Sequence, residues 1–439
     1  MKKILILGAG LVARPLVRYL LNQPEFQVEV ASRTVSKAEK LVDGHPRGVA
    51  KELNLKNEEA LKQEVAGADL VISMVPYTFH PKVAEFCIAH KKHMVTTSYV
   101  SDAMKALDAD ARRAGIIILN EVGLDPGIDH MEAMRVIHEI HDRGGKLLSF
   151  ISFCGGLPAA EANTNPFGYK FSWSPTGVLL AGKNSARYLL DGKEVFIPAE
   201  KLFESYSLRT IEGLGIFEGY PNRNSLPYID LYGVPETKTM LRGTLRYLGW
   251  CETIRTLVRL NLLDQEEKDW KGLTFADFLR KQMGTRAKDV KKADSDRLGI
   301  SPGLAILRRL EWLGLFSDER LPLEKGSALD IMSACMTAKM AYLPNERDMI
   351  ILQHEFIASY PKIGREKIVS TLIDYGIPGG DSSMSRTVGL PAAIGTRLIL
   401  EGKIQEIGVH IPVKPDIYLP ILAELKNLNI VFKEKRVKL

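Results

Sequence analysis

The feature that most constrains this chain is the sequence GAGLVA at residues 8–13, directly after the apolar run KKILIL. A short apolar run without alternation is typical of a strand buried in a parallel sheet. In the pattern GxGxxA the first glycine turns tightly, the second admits a phosphate close to the backbone, and the small third residue packs a helix on the strand. We therefore predict a strand, a turn and a helix. The turn residues expected to contact a dinucleotide are Gly8, Ala9, Gly10, Leu11 and Val12.

Strand and helix patterns then alternate up to residue 120. The predicted strands are 2–7, 27–32, 48–55, 69–75, 93–98 and 115–120, and the predicted helices are 14–22, 37–42, 57–65, 81–90 and 101–114. Six such alternations predict an α/β domain with a Rossmann doubly wound parallel sheet. Ligands bind at the carboxyl ends of the strands in that topology.

The end of the second predicted strand bears on cofactor choice. NAD enzymes usually carry Asp or Glu here, about 20 residues beyond the glycines, to bind the ribose hydroxyl. This chain has Ser32, Arg33 and Thr34 instead. A guanidinium can pair with a 2′-phosphate, and both hydroxyls can donate to it. The sequence therefore predicts NADP(H), the alternative being that Arg33 only caps a solvated loop.

Polar and aromatic residues follow the fourth and fifth predicted strands, in VPYTFH (75–80) and TTSYV (96–100). Because these residues follow the carboxyl ends of the strands, they suit contacts to the ribose, the amide and a substrate. Val75, Thr97 and Ser98 are predicted to contact the cofactor. His80 could act as a base or could simply cap the next helix.

The pattern changes after Lys146 to longer strands and Gly/Pro-rich loops, which predict an α+β domain on a mixed or antiparallel sheet. A mostly helical stretch follows. Its predicted helices are 245–262, 275–282 and 304–313. Strands at 348–356 and 365–374 are expected to rejoin the second sheet, whereas a helix at 385–401 and a strand at 429–437 are expected to pack on the first domain.

Composition excludes several classes of protein. The 59 basic and 53 acidic residues of the 439 give +6, without basic blocks interleaved with aromatics, so no nucleic-acid partner is expected. No apolar run reaches the ~18 residues that span a bilayer, so no membrane partner is expected. The four cysteines lie far apart without a CxxC pair. That spacing argues against disulfides and a zinc site and favours a cytoplasmic protein without a metal.

Ten motifs occur in an order that resembles one family. They are GAGLVARP, SRT, VPYTFH, TTSYVS, NEVGLDPGIDH, CGGLPA, NPFGYKFSWSPTGVLLA, YPNRNS, RGTLRY and NERDMIILQHEF. Over nearly its whole length the chain resembles the saccharopine reductases, also called saccharopine dehydrogenases (NADP⁺, L-glutamate-forming). The resemblance implies three domains. They are a Rossmann domain (1–125, completed by about 385–439), an α+β substrate and dimerisation domain (126–243 and 344–384) and a helical insertion (244–343).

The resemblance also implies a reaction of lysine metabolism. Glutamate joins 2-aminoadipate 6-semialdehyde, and NADPH reduces the resulting imine to saccharopine; the reverse reaction oxidises saccharopine. The nicotinamide carries the hydride chemistry, while the protein supplies orientation, proton transfer and charge matching. A homodimer is implied as well.

Site residues follow from the same resemblance. Saccharopine carries three carboxylates, and planar guanidinium groups can bind them bidentately, so Arg223 and Arg246 are the expected cations. Further substrate contacts are expected at Ser98, Tyr99, Asp125, Thr244 and Leu245, and further cofactor contacts at Asn54, Leu124, Asp125, Pro126 and Ser174.

Proton transfer is expected from Tyr99, Asp125 and Cys154. Asp125 could instead cap the following helix, and Cys154 could be a small packed residue. Three other functions stay open: a carboxynorspermidine-type polyamine dehydrogenase, an NAD-dependent version of the same reaction, and a nucleotide sensor without catalytic activity.

Overall fold

The KKILIL run forms a strand, Lys2–Leu7, whose last four residues are fully buried. The computed structural model describes residues 1–301 and 303–439. These residues form two units. The first comprises Met1–Lys146, Ser359–Gly364 and Leu372–Glu434, and the second comprises Leu147–Ala358, Arg365–Thr371 and Lys435–Leu439.

The regular elements are numbered in chain order. The strands are β1 (Lys2–Leu7), β2 (Phe26–Ser32), β3 (Gly48–Glu52), β4 (Leu70–Ser73), β5 (His93–Thr96), β6 (Ile117–Leu119), β7 (Lys146–Pro158), β8 (Ala186–Leu190), β9 (Lys193–Ile197), β10 (Ser207–Ile211), β11 (Gly215–Pro221), β12 (Thr239–Arg246), β13 (Lys268–Asp269), β14 (Lys325–Gly326), β15 (Asp348–Tyr360), β16 (Gly364–Tyr375), β17 (Gly408–His410) and β18 (Phe432–Lys438). The helices are α1 (Ala13–Leu21), α2 (Val35–Val42), α3 (Glu58–Ala66), α4 (His80–Ala89), α5 (Asp102–Ala106), α6 (Asp108–Ala114), α7 (Ile128–Asp142), α8 (Pro175–Leu180), α9 (Pro227–Leu231), α10 (Trp250–Arg259), α11 (Phe275–Met283), α12 (Val290–Leu298), α13 (Ala305–Leu313), α14 (Ala328–Lys339), α15 (Ser383–Leu400) and α16 (Pro415–Asn427).

The first unit contains a seven-stranded parallel sheet in the order β17-β6-β5-β4-β1-β2-β3. The first six strands in chain order match the predicted ones, and their spatial order reverses between β1 and β4. That arrangement is the Rossmann topology, with its ligand crevice at the point of reversal. The predicted doubly wound α/β fold is therefore confirmed.

The C-terminal part of the first unit contains elements that the sequence patterns missed. β17 has only three residues, too few for a recognisable pattern, and it pairs with β6 at the edge of the sheet. Helix α16 was also missed. The single helix predicted at 101–114 is two helices, α5 and α6, which meet at Leu107.

The second sheet has nine strands and is mixed. Its main path is β10-β11-β12-β7-β15-β16-β18, and the hairpin β8–β9 pairs with β12. β12 runs parallel to β7 and antiparallel to β11. The predicted return of residues 348–374 to this sheet is confirmed, because β15 and β16 are two of its strands.

The strand predicted at 429–437 is present, and it is divided between the first unit, up to Glu434, and the second unit, from Lys435. Its residues form β18, which ends the order of the nine-stranded sheet beside β16. The sequence FKEKRVK is mostly exposed. A Lys-rich, exposed strand suits a protected sheet edge, whereas strands inside a parallel sheet are apolar runs.

The helix predicted at 245–262 begins later than predicted. Residues 239–246 form β12, nearly all of it buried, and α10 begins only at Trp250 after Gly249, whose φ is 91°. Thr244, Leu245 and Arg246 therefore lie on a strand.

The stretch from residue 250 to 340 is mostly helical, with α10 to α14 and the short ladder β13–β14. The division into three domains stays a prediction. Across residues 1–301 and 303–439, no helix combines the length and the apolar character that crossing a membrane requires.

Candidate active site

The turn after β1 is shaped for an anion. Gly8 has φ of 109°, and a Cβ there would lie 2.8 Å from the carbonyl oxygen of Met74, so only glycine fits. A Cβ on Gly10 would meet nothing within 4 Å, so the backbone is open on that side. No side chain caps the start of α1. Its first amide groups are therefore available to a phosphate, as the GxGxxA pattern requires.

The end of β2 carries the predicted phosphate-reading residues. Arg33 and Thr34 are exposed, and the Thr34 amide donates to Ser32 Oγ at 3.3 Å. Among the residues that the structure describes, no carboxylate forms an ion pair with Arg33. Asn54 follows β3, which pairs with β2, and its side chain is exposed. This edge of the sheet thus offers a cation and hydroxyls that suit a 2′-phosphate.

Tyr99 and Asp125 form a hydrogen-bonded pair. Tyr99 Oη donates to Asp125 Oδ1 at 3.0 Å, and both side chains are half-buried. The loop that carries Asp125 lies against the end of β5, because a Cβ on Gly123 would be 3.2 Å from the Cβ of Thr97. The structure therefore brings together Thr97, Tyr99 and Asp125, which the sequence predicted separately.

A buried acid–imidazole pair supports this loop. Glu121 accepts from the amide of Val100 at 2.9 Å through one oxygen, and its other oxygen lies 2.7 Å from His130 Nε2. Both side chains are buried. Glu121 thus links the residue after Tyr99 to helix α7, which begins just after Asp125. The sequence reasoning missed Glu121, because its role depends on contacts between separate segments.

The turn between Asp125 and α7 requires glycine. Gly127 has φ of 146°, and a Cβ there would lie 2.1 Å from the carbonyl oxygen of Gly123. Asp129 accepts from the Gly127 amide at 2.5 Å. No side chain among the described residues caps the start of α7, and Asp125 contacts Tyr99.

His80 begins α4 and is 2% exposed. Its Nδ1 lies 2.8 Å from Ser73 Oγ and its Nε2 lies 2.8 Å from Ser98 Oγ. Burial lowers the pKa of His80 to about 4. Because both ring nitrogens have partners, a direct role as catalytic base is not supported.

In the second unit, the predicted residues Thr244, Leu245 and Arg246 lie on β12, and Cys154 lies on the neighbouring β7. Cys154 on β7 pairs in register with Thr244 on β12, and Tyr220 on β11 pairs with Thr244 from the other side. The strands approach closely after Cys154, since a Cβ on Gly155 would lie 2.8 Å from the Leu245 carbonyl oxygen. Cys154 itself is buried.

Arg246 is a buried cation with aromatic neighbours. Its side chain is only 5% exposed, and its guanidinium lies 5.0 Å from the Tyr169 ring centre and 5.5 Å from that of Trp250. Nη1 donates to the Leu245 carbonyl at 2.8 Å. Nε is buried without a hydrogen-bond partner among the described residues. A buried guanidinium without a carboxylate partner can donate hydrogen bonds to an anionic ligand.

Arg223 lies near the other end of the antiparallel pair β11–β12. It follows β11, is exposed, and has φ of 56°. Pro221 pairs with Gly243, three residues before Arg246, so the two arginines leave this pair of strands at points roughly 10 Å or more apart. Two cations spaced in this way suit a ligand whose carboxylates are far apart.

The remaining predicted contact residue in this unit is Ser174. Its Oγ caps α8 by accepting from the Gly177 amide at 3.2 Å. Among the described residues, no group of three or more His, Cys, Asp or Glu side chains is arranged to hold a metal ion.

Comparisons with known proteins cover the whole chain. Residues 4–119 match the family model of the saccharopine dehydrogenase NADP binding domain, and residues 123–430 match that of the saccharopine dehydrogenase C-terminal domain. The chain is 43% identical over 452 residues to a saccharopine dehydrogenase (NADP⁺, L-glutamate-forming) of Saccharomyces cerevisiae, with 99% of each covered. It is 41% identical to that of Schizosaccharomyces pombe, again with 99% of each covered.

A longer relative and a solved structure complete the comparison. The chain is 38% identical to the mitochondrial alpha-aminoadipic semialdehyde synthase of Bos taurus, aligning 98% of itself with 47% of that protein. The solved structure of apo saccharopine dehydrogenase (L-Glu forming) from Saccharomyces cerevisiae superposes with a TM-score of 0.90 at 41% identity, covering 100% of both chains.

Proposed function

Since this chain belongs to the saccharopine dehydrogenase family, we propose that it interconverts saccharopine with L-glutamate and 2-aminoadipate 6-semialdehyde, using NADP(H). Oxidation of the secondary amine gives an imine, water adds to the imine carbon, and the C–N bond breaks. NADP(H), when bound, supplies or accepts the hydride. The residues of the chain bind, orient and move protons.

The observation that carries this proposal is the buried guanidinium of Arg246 over Tyr169 and Trp250, which forms no ion pair with a described carboxylate. Burying an unpaired charge is costly, so a fold retains it where a ligand neutralises it. A substrate carboxylate is that ligand. Arg223 binds a second carboxylate, and the backbone of Thr244 and Leu245 lies beside the first.

Proton transfer is assigned to Asp125, with Tyr99 donating to it at 3.0 Å. A carboxylate in this place accepts a proton from the substrate amine or from attacking water. The Tyr99 hydroxyl holds the carboxylate in one orientation. Cys154, in register with Thr244, is the third candidate for proton transfer.

Cofactor selectivity is assigned to the end of β2. Arg33 pairs with the 2′-phosphate of NADP(H), assisted by Ser32 and Thr34, while the open backbone at Gly10 and the uncapped start of α1 bind the pyrophosphate. Ala9, Leu11 and Val12 complete the turn. Val75, Thr97, Leu124 and Pro126 lie on loops beside the carboxyl ends of the strands, and Asn54 and Ser174 stay proposed contacts.

The test is saccharopine-dependent reduction of NADP⁺ or NAD⁺, followed by absorbance at the NAD(P)H band. The proposal expects turnover that favours NADP⁺. A preference for NAD⁺ would keep the reaction and overturn the assignment of Arg33. Turnover of carboxynorspermidine without turnover of saccharopine would overturn the reaction. Binding of nucleotide without turnover of either substrate would favour a sensor.

The proposal extends to assembly and location. Leu190, Phe196, Leu208 and Ile216 are exposed apolar side chains on β8 to β11, and a homodimer would cover them. Light scattering on the protein as it elutes from a size-exclusion column measures the molecular mass and so distinguishes a monomer from a dimer. The four buried cysteines form no disulfide, which fits a cytoplasmic protein, and fractionation of cells tests that location.

A further inference from the structure

His80 lies in a cluster of hydroxyl groups at the carboxyl ends of β4 and β5. Ser73 is the last residue of β4, Thr96 is the last residue of β5, and Ser98 follows two residues later. His80 Nδ1 lies 2.8 Å from Ser73 Oγ. His80 Nε2 lies 2.8 Å from Ser98 Oγ and 3.3 Å from Thr96 Oγ1. This edge of the sheet is where a Rossmann domain binds its ligands.

The hydrogens of this cluster can be assigned by elimination. Thr96 Oγ1 has one hydrogen, and it is donated to the Ser73 carbonyl at 2.8 Å. Toward His80 Nε2, Thr96 Oγ1 can therefore only accept. We place the ring hydrogen on Nε2, where Ser98 Oγ at 2.8 Å and Thr96 Oγ1 at 3.3 Å share it. With the low pKa that burial imposes, the ring is neutral and has no second hydrogen. Nδ1 then accepts from the Ser73 hydroxyl.

The orientation of the Ser98 hydroxyl follows. Ser98 Oγ lies 2.8 Å from Nε2 and accepts its hydrogen, so the hydrogen of Ser98 points away from His80. Ser98 is half-buried and precedes Tyr99, which contacts Asp125. Because its oxygen accepts from Nε2, the Ser98 hydroxyl can donate its own hydrogen to a ligand, and accepting that bond makes it a stronger donor.

We propose that His80 is a positioning residue that holds the Ser98 hydroxyl as a hydrogen-bond donor to an oxygen of the bound ligand. That oxygen belongs either to a substrate carboxylate or to the carboxamide of the nicotinamide, both of which accept. The inference rests on the proposed function, and it assigns His80 no proton transfer and no contact with the reacting atoms.

The test is a double-mutant cycle. His80→Leu is compared with wild type, and the same change is made in a Ser98→Ala background, with kcat and KM measured for saccharopine and NADP⁺. Loss of one hydrogen-bond donor predicts a fall in kcat/KM of roughly 10- to 100-fold for His80→Leu. In the Ser98→Ala background the same change should cost less than about threefold. An equal loss in both backgrounds would overturn the proposal.

Two conservative variants separate positioning from packing. Gln places an amide donor near the position of Nε2, toward Ser98, whereas Asn places one near Nδ1, toward Ser73. His80→Gln should therefore keep kcat/KM within roughly fivefold of wild type, and His80→Asn should resemble His80→Leu. Equal effects of the two amides would contradict the assigned role, and this comparison stands even where His80→Leu fails to fold.

Direct binding of NADPH, followed by its fluorescence, identifies the acceptor. A weakened Kd for NADPH in His80→Leu and Ser98→Ala assigns the carboxamide, and an unchanged Kd with a raised saccharopine KM assigns the substrate. If neither changes, the proposal is wrong. His93→Gln is the matched control. His93 is the first residue of β5, at the end of the strand opposite to the His80 cluster. Its Nδ1 accepts from the Ile117 amide at 3.1 Å. Absence of saccharopine turnover in wild type would instead overturn the proposed function.

Discussion

Arg246 carries a positive charge that the second unit buries without an ion pair among its described residues. Such a charge costs stability while the ligand is absent, and its value lies in binding. Lys170 offers the contrast in the same unit. It is equally buried but forms an ion pair with Glu346 at 2.5 Å.

The contrast predicts opposite effects on stability. Arg246→Met should raise the saccharopine KM or lower kcat/KM by roughly 100-fold or more, because a carboxylate partner is lost. It should leave the unfolding temperature unchanged or higher, since an unpaired buried charge is replaced by an apolar side chain of similar length. Thermal unfolding and steady-state kinetics measure both.

Lys170→Met is the matched control for that experiment. It leaves the Glu346 carboxylate without its cation, so it should lower the unfolding temperature. The free energy of unfolding should fall by roughly 1–3 kcal/mol. A larger loss of stability for Arg246→Met than for Lys170→Met would contradict the ligand role of Arg246.

A second prediction for a single residue concerns Arg33 and the choice of cofactor. Arg33→Ala should lower kcat/KM for NADP⁺ by roughly 10- to 100-fold and leave that for NAD⁺ within a few-fold, because only NADP⁺ has the 2′-phosphate. Arg18→Ala, which removes an ion pair to Asp43 on the same unit, is the control. Equal losses with both cofactors would show that Arg33 supports the loop and does not read the phosphate.

Helices α1 and α15 pack against each other through Gly389. A Cβ at Gly389 would lie 2.9 Å from the Val12 carbonyl oxygen and 3.3 Å from Leu16. Val12 is the residue before α1. Helix α15 thus sets the position of the turn that is proposed to bind the pyrophosphate.

This contact predicts that Gly389→Ala displaces the start of α1. The variant should bind NADPH more weakly, by roughly 10-fold, and should unfold at a lower temperature, because added atoms overpack the contact. Gly395→Ala is the matched control on the same helix. Its Cβ would meet only side chains at 3.5 Å or more. It should be neutral or stabilising by roughly 0.5–1 kcal/mol. Weaker binding in both variants would contradict the argument.

Strands and helices could be predicted from the sequence where the apolar residues within the element itself form a recognisable pattern. The runs KKILIL and DLVISMV each have four consecutive buried residues, 4–7 and 70–73, and their apolar character indicated parallel strands. The start of the helix predicted at 245–262 was wrong because a buried strand and a buried helix both have apolar residues on most positions. β17 was missed because three residues carry no pattern, and the sheet that β18 joins was not predicted because it depends on which sheet edge is open.

Residues of the site divide in the same way. Gly8, Gly10, Arg33, Asp125 and Arg246 lie in motifs whose chemistry or family resemblance indicated a role. The contacts of Glu121 with Val100 and with His130 of α7, and the orientation of Ser98 by His80 of α4, could not be predicted, because each joins segments that are apart in the sequence.

At the scale of the molecule, the stability of the chain should depend on pH through Asp294. This residue of α12 is fully buried, and neither carboxyl oxygen has a hydrogen-bond partner among the described residues. Burial raises the pKa of Asp294 to about 7, and Arg297 opposes the shift only in part. The folded chain therefore holds a proton that the unfolded chain releases near pH 4.

The sign of the effect follows. The free energy of unfolding contributed by Asp294 is greatest below about pH 4, falls as pH rises toward 7, and levels off above it. Asp294→Asn should remove this slope and stabilise the chain above pH 7 by roughly 1–3 kcal/mol. Thermal unfolding of both proteins from pH 5 to 8 measures it, and parallel curves would contradict the assignment.

Asp277 provides a control of opposite sign. Its pKa is lowered, first by the Thr274 amide that it caps, so its contribution is present at neutral pH and is lost as pH falls. Asp277→Asn should therefore destabilise the chain at pH 7 and have less effect at pH 3.

The pairing of β17 with β6 has a consequence for synthesis on the ribosome. Strand β6 ends at Leu119, but its outer neighbour begins about 290 residues later, a delay of roughly 15 to 60 s at ordinary translation rates. During that time the nascent chain exposes the unpaired edge of an otherwise formed parallel sheet, which can template association with other chains. A chaperone that shields this edge would raise the yield of folded enzyme.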